Sequence, residues 1–152
     1  MGQQQLLLLV LGMVIVGIAV VAGIQAFSEG RERAAVDAAV SEALRIATDV
    51  QAWALKPAPF SGGGGSLSGV NFEKMGYTPK GSSGTYGHTN GGQDYISPNG
   101  CYTISEKDGT VTIIGYEGTT TNGVCDTESK KLVKVTITGT RIEHINTETL
   151  PS

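Results

Sequence analysis

Leu6-Leu7-Leu8-Leu9-Val10-Leu11-Gly12-Met13-Val14-Ile15-Val16-Gly17-Ile18-Ala19-Val20-Val21-Ala22-Gly23-Ile24-Gln25-Ala26-Phe27 contains no Lys, Arg, Asp or Glu, and Met1 to Gln5 ahead of it are uncharged as well. As a helix these 22 residues reach roughly 33 Å at about 1.5 Å per residue, enough to cross the hydrocarbon of a bilayer with some tilt. The core helix of a soluble domain rarely needs such a run. Ser28, Glu29, Gly30, Arg31, Glu32 and Arg33 then end the membrane-compatible stretch.

The helical pattern does not end with it. Val36, Ala39, Val40, Ala43, Ile46, Ala47, Val50, Trp53 and Ala54 recur by threes and fours, one face of an amphipathic helix. Glu29 and Arg33, Arg45 and Asp49, and Glu42 and Arg45 stand at separations where side chains meet on a helix surface. Proline is absent until Lys56-Pro57-Ala58-Pro59. That element stops the helix, because proline has no amide donor and disfavours helix in the residue before it. The expectation is one helix over residues 1–55, about 75 to 80 Å long, apolar over 1–27 and amphipathic over 28–55. Ala34, Ala35, Ala38 and Ala52 widen the second half, so a folded domain can cover one side of it and neighbouring copies another. Helix propensity alone also accounts for these alanines.

The part outside the membrane-compatible run, roughly 120 residues with the amphipathic half of the helix included, suffices for one modest domain. The chain carries a formal net charge of −3, and its longest basic cluster is Lys130-Lys131. Nothing here tracks a phosphate backbone, and no nucleic acid partner is expected. Cys101 and Cys125 behind a membrane-crossing leader read as one disulfide in an oxidising compartment, with free thiols or a two-ligand metal site as alternatives.

Residues 56–95 read as a glycine-rich connecting loop. Gly62 to Gly65 is an unbroken run, followed by Gly69, Gly76, Gly81, Gly84, Gly87, Gly91 and Gly92. Ordering such a segment costs much backbone entropy, so it is either mobile or lies against something. Leu67, Val70, Phe72, Met75, Tyr77 and Tyr86 are the anchors available to hold it. A phosphate cradle is not expected, since no Gly-x-Gly-x-x-Gly or Gly-Lys-Ser/Thr element follows a strand and opens a helix.

Strands are expected within 96–152. Cys101–Ser105 and Thr110–Tyr116 flank an Asp108-Gly109 hairpin signal, while Leu132–Thr138 and Arg141–Ile145 flank Gly139-Thr140. Two hairpins make an antiparallel sheet of about four strands. Ile104, Val111, Ile113, Val133, Val135 and Ile137 form its apolar side, and the amphipathic half of the long helix is the helix available to cover them. In the last strand, Ile142 and Ile145 do not share a face. The fold class is α+β, a long N-terminal helix packed by a small C-terminal antiparallel sheet.

This architecture, an apolar then amphipathic helix, a glycine-rich connection and a small disulfide-bearing sheet, resembles the type IV pilins and pseudopilins over the whole chain. The resemblance implies that a prepilin peptidase removes a short basic leader and that the apolar half-helices bundle into a filament core. Met1 would be the first mature residue and Gln5 the fifth, followed by Leu6-Leu7 as in many pilins. The family has Glu at that fifth position, thought to meet the N-terminal amine of a neighbour. Gln5 keeps the length and the acceptor oxygen but not the charge, so it can hydrogen-bond a buried amine without neutralising it. Cleavage after Gly2 would instead put Leu7 fifth. The resemblance assigns the filament core to Leu6, Leu7, Leu8, Leu9, Val10, Leu11, Met13, Val14, Ile15, Ile18, Val20, Val21, Ile24 and Phe27. The family's helix-breaking proline is missing, and Gly12, Gly17 and Gly23 stand where helix flexibility and close approach would be supplied. Arg31 and Arg33 would be cytoplasmic by the positive-inside rule, whereas the cysteines and the Ser/Thr/Gly-rich domain point outside. A removed basic leader resolves that conflict, and a plain signal peptide lacks the basic residues it would need before the run.

No enzyme, cofactor or metal is expected. His88 and His144 have no nearby nucleophile and acid in a recognisable arrangement. Asp94, Asp108, Asp126 and Glu128 lack the alternating spacing of a calcium loop. Trp53, Phe60 and the tyrosines are too sparse to read as an electron path. Thr119-Thr120-Thr121 reads as an exposed turn or an O-glycan site. The expected role is a structural subunit of an extracellular filament, held in the inner or cytoplasmic membrane before assembly, with itself and a pilus assembly machinery as partners. A pseudopilin of a secretion or DNA-uptake system, or a membrane-anchored surface binding module, is the alternative.

Overall fold

The computed structural model describes residues 2–81, 84–118 and 124–150. One helix, α1, spans Gly2–Leu55. The chain forms two compact units, Met1–Ala35 and Val36–Ser152. The first is helix throughout its described residues, all of them exposed. The second is an α+β unit in which the rest of α1 packs on a six-stranded antiparallel sheet.

The sheet consists of β1 (Gly87–Thr89), β2 (Asp94–Ser97), β3 (Gly100–Lys107), β4 (Thr110–Tyr116), β5 (Lys131–Ile137) and β6 (Ile145–Thr149), in sequential spatial order. β3 and β4 are joined by Asp108 at φ 52° and Gly109 at φ 76°, the paired positive φ that a two-residue hairpin needs. A bulge at Gly115/Tyr116 interrupts the β4–β5 register. A Cβ on Gly115 would sit 2.8 Å from Val133 Cγ1 and 3.0 Å from Tyr102 Cε1, so only glycine fits between β5 and that ring.

The core joins the two expected faces. Ala39, Ala43, Ile46, Ala47, Val50, Trp53 and Ala54 of α1 share one buried cluster with Ile104, Val111, Ile113, Val133, Val135 and Ile137 of the sheet. Alanines at the contact let the helix lie close to the strands, and each fully buried Ile or Val contributes about 1.5–3 kcal/mol. Leu67, Val70 and Phe72 of the connecting segment are buried in the same cluster, with Met75 and Tyr77 packed against it. Tyr86 remains 52% exposed and lies outside this cluster.

The glycine run is a helix cap. Beyond Leu55 the amide of Gly63 donates to Trp53 O at 3.0 Å, Gly64 to Lys56 O at 3.0 Å and Gly65 to Ala54 O at 2.7 Å. The Trp53 and Ala54 carbonyls are among those that a helix end leaves without intrahelical donors, and Lys56 is the residue just past that end. Trp53 Nε1 donates to Ser61 O at 2.9 Å from beneath the same loop.

Two expectations about strands need correction. The sheet has six strands rather than about four: β1 and β2 lie largely within the segment expected to be loop. They are short, and glycines at positive φ (Gly87, Gly92 and Gly100) flank or join them, which removed the alternating apolar signal. The last strand is Ile145–Thr149, not Arg141–Ile145. Ile142–His144 is a single 3-10 turn, and Ile142 is 81% exposed. Gln51, buried on the core side of α1, donates from Nε2 to Gly139 O at 3.0 Å and to Arg141 O at 2.6 Å. That clamp holds one carbonyl of the expected turn and the carbonyl of the residue at which the strand was expected to begin. Pairing Ile137 with Ile145 then places Ile145 against the core.

Candidate assembly surface and the polar latches of the folded unit

Leu6 to Phe27 present fifteen large apolar side chains, between 50% exposed (Val10, Leu11) and 71% exposed (Met13). Burying that surface would release on the order of 20 kcal/mol, and monomeric soluble proteins rarely leave so large a contiguous apolar patch in water. By length and composition the helix is apolar enough to cross a membrane. Every residue assigned to a filament core lies on this surface: Leu6 to Leu9, Val10, Leu11, Met13, Val14, Ile15, Ile18, Val20, Val21, Ile24 and Phe27. α1 is continuous through Gly12, Gly17 and Gly23, and a Cβ at any of the three would meet nothing within 4 Å. Gln5 is exposed in the first turns. Met1 lies outside the described residues.

Cys101 and Cys125 form a disulfide with Cα atoms 5.4 Å apart, settling the choice left open between a bridge, free thiols and a two-ligand metal site. Cys101, in β3, belongs to a second small buried cluster with Ile96, Tyr116 and Cys125. The bridge spans 24 positions and on a chain-entropy argument contributes about 3 kcal/mol.

Polar groups hold the helix to the sheet. Glu42 Oε2 accepts from Ser97 Oγ at 2.8 Å, Asn99 Nδ2 at 2.9 Å and Tyr102 Oη at 3.3 Å. Asp49 Oδ2 accepts from Tyr77 Oη at 2.6 Å. Helix spacing would have paired both carboxylates with Arg45, but partners from outside the helix engage them instead. Burial, with the Asp49 carboxylate beside it, pushes the Tyr77 hydroxyl well above the ordinary tyrosine value. Burial and the charge of Glu42 do the same to Tyr102. Phe72, Tyr77 and Tyr95 pack as a small aromatic cluster with ring centroids 4.8 to 5.3 Å apart.

His88 stands in β1 and His144 in the turn before β6, at opposite edges of the sheet, so the fold does not bring them together. Asp94 is buried, accepting from Thr103 Oγ1 at 2.8 Å and Asn90 Nδ2 at 3.1 Å. Asp108 sits in the β3–β4 turn, and Asp126 accepts from the Glu128 amide at 3.1 Å. Among the described residues, no three His, Cys, Asp or Glu side chains gather as a metal would require. Thr119 to Thr121 lie outside the described residues. The Glu42 latch was not anticipated, because it joins groups 55 to 60 positions apart.

In comparisons with family models, curated proteins and solved structures, nothing matches this chain.

Proposed function

We propose that this protein is the structural subunit of an extracellular helical filament of the type IV pilin kind. The observation that carries the reading is the exposed apolar surface of Leu6 to Phe27 on a helix whose later turns are buried in a disulfide-bonded α+β unit. Such a surface needs cover. Lipid supplies it before assembly, and the same surfaces of other copies supply it in the filament, with Gly12, Gly17 and Gly23 giving neighbouring backbones room to approach. Gln5 offers a neutral acceptor to a neighbour's N-terminal amine, so assembly here proceeds without the family's charge pairing. The folded unit faces solvent, and a pilus assembly machinery moves the subunit from membrane to fibre.

Shearing tests the reading. The chain should leave intact cells with sheared surface material and sediment as a high-mass polymer, and Val14→Lys, which puts a charge in the core, should abolish that fraction. If the chain stays with the membrane as a monomer, it is an anchored module instead. If Val14→Lys polymer forms in normal amount, the core assignment is wrong.

A further inference from the structure

A cleft of about 460 Å³ opens beside the last turns of α1, within the folded unit. Arg45, Asp49 and Trp53, one helical turn apart in succession, line it together with Tyr77 and Tyr95. Lys56 and Lys74 line it as well. Three cations thus face one carboxylate, in a chain whose net charge is −3. That carboxylate is already held by Tyr77 Oη at 2.6 Å. Lys74 Nζ donates to Gly69 O at 2.6 Å, while among the described residues no ion pair engages Arg45 or Lys56. Tyr77 and Tyr95 meet edge to face at 4.8 Å, a firm aromatic wall. The cleft therefore combines surplus positive charge with aromatic surface in a volume suited to a small organic ligand.

We propose that this cleft binds an acidic sugar, one carrying a ring carboxylate as uronic acids do. The carboxylate is drawn to Arg45 and Lys56 through charge-assisted hydrogen bonds, and the apolar face of the ring lies against the aromatic wall. An inorganic anion would use the charge and leave the wall and most of the volume empty. A neutral sugar would use the wall and leave two cations unmatched. The inference is independent of the filament reading, because it concerns the folded unit of the dispersed chain.

Trp53 is the only tryptophan and lines the cleft, so its emission reports binding. The full chain in neutral detergent micelles is titrated with trigalacturonate, with the matching neutral galactose trisaccharide and with inorganic phosphate. Trigalacturonate should give a saturable change, with the neutral sugar and phosphate each at least about tenfold weaker. Arg45→Gln and Lys56→Gln should each weaken trigalacturonate about tenfold, with circular dichroism unchanged. Lys107→Gln, exposed on β3, should leave binding as it is. Equal binding of the neutral sugar or of phosphate, the same affinity in the Arg45 and Lys56 variants, or no saturable response to trigalacturonate would overturn the proposal.

Discussion

Replacing Gly63 by alanine tests whether the glycine run is a helix cap or a slack connection. A Cβ at Gly63 would run into the Ser66 carbonyl oxygen and come within 2.9 Å of Trp53 Cζ3 and 3.0 Å of Ala54 Cα. Two of these neighbours are backbone, so the loop itself must shift. The shift would take with it the three amides that donate to Trp53, Lys56 and Ala54. At about 0.5–1.5 kcal/mol net per hydrogen bond, Gly63→Ala should cost about 2–4 kcal/mol. Gly64 is the internal comparison. Its φ of 60° disfavours alanine, but its Cβ would come no closer than 3.4 Å to Ala58 Cβ, so Gly64→Ala should cost only about 1 kcal/mol. Urea unfolding of the full chain in neutral micelles, followed by Trp53 fluorescence, reads both at the site of the change. With a urea slope of about 1–3 kcal/mol/M, Gly63→Ala should lower the midpoint by about 1–2 M. A Gly63→Ala midpoint equal to or above that of Gly64→Ala would refute the capping argument.

Glu42→Ala should cost about 2–3 kcal/mol, because it removes the carboxylate that accepts from Ser97, Asn99 and the fully buried Tyr102. Glu42→Gln, which keeps an acceptor oxygen, should cost about half as much in the same unfolding assay. Stability should also fall in alkali. Tyr77 and Tyr102 have folded values raised above the ordinary tyrosine value of 10.0. They are protonated in both states below pH about 10, but above it the unfolded chain loses those protons first. Thermal melts should therefore be level through neutral pH and decline above pH about 10, with the slope at most about 1.4 kcal/mol per pH unit from Tyr102. Tyr102→Phe should flatten that decline, and an unchanged slope in this variant would remove Tyr102 as its source.

Much of the fold is legible in short-range pattern. The charge-free run, the threefold and fourfold spacing of Val36 to Ala54, and Pro57 with Pro59 place α1 to within a residue or two of Leu55. The strands that alternate over seven or eight residues, β3, β4 and β5, are legible for the same reason. What escapes is whatever depends on a distant partner. The start of β6 is displaced by Gln51, some 90 positions earlier, and β1 and β2 are too short and glycine-flanked to carry a period. The capping role of Gly63 to Gly65 appears only once the loop folds back over Trp53. For the exposed apolar run the position is reversed. Leu6 to Phe27 announce themselves as a surface requiring cover, while the Arg45–Tyr77 cleft arises only when the connecting segment is laid beside the helix.

The central claim is that Leu6 to Phe27 of many copies form the core of a fibre. Negative-stain microscopy of sheared surface material, with gold-labelled antibody to the folded unit, tests it most directly. The account predicts thin fibres labelled along their whole length. Label confined to membrane fragments, with no fibres carrying it, would contradict the account.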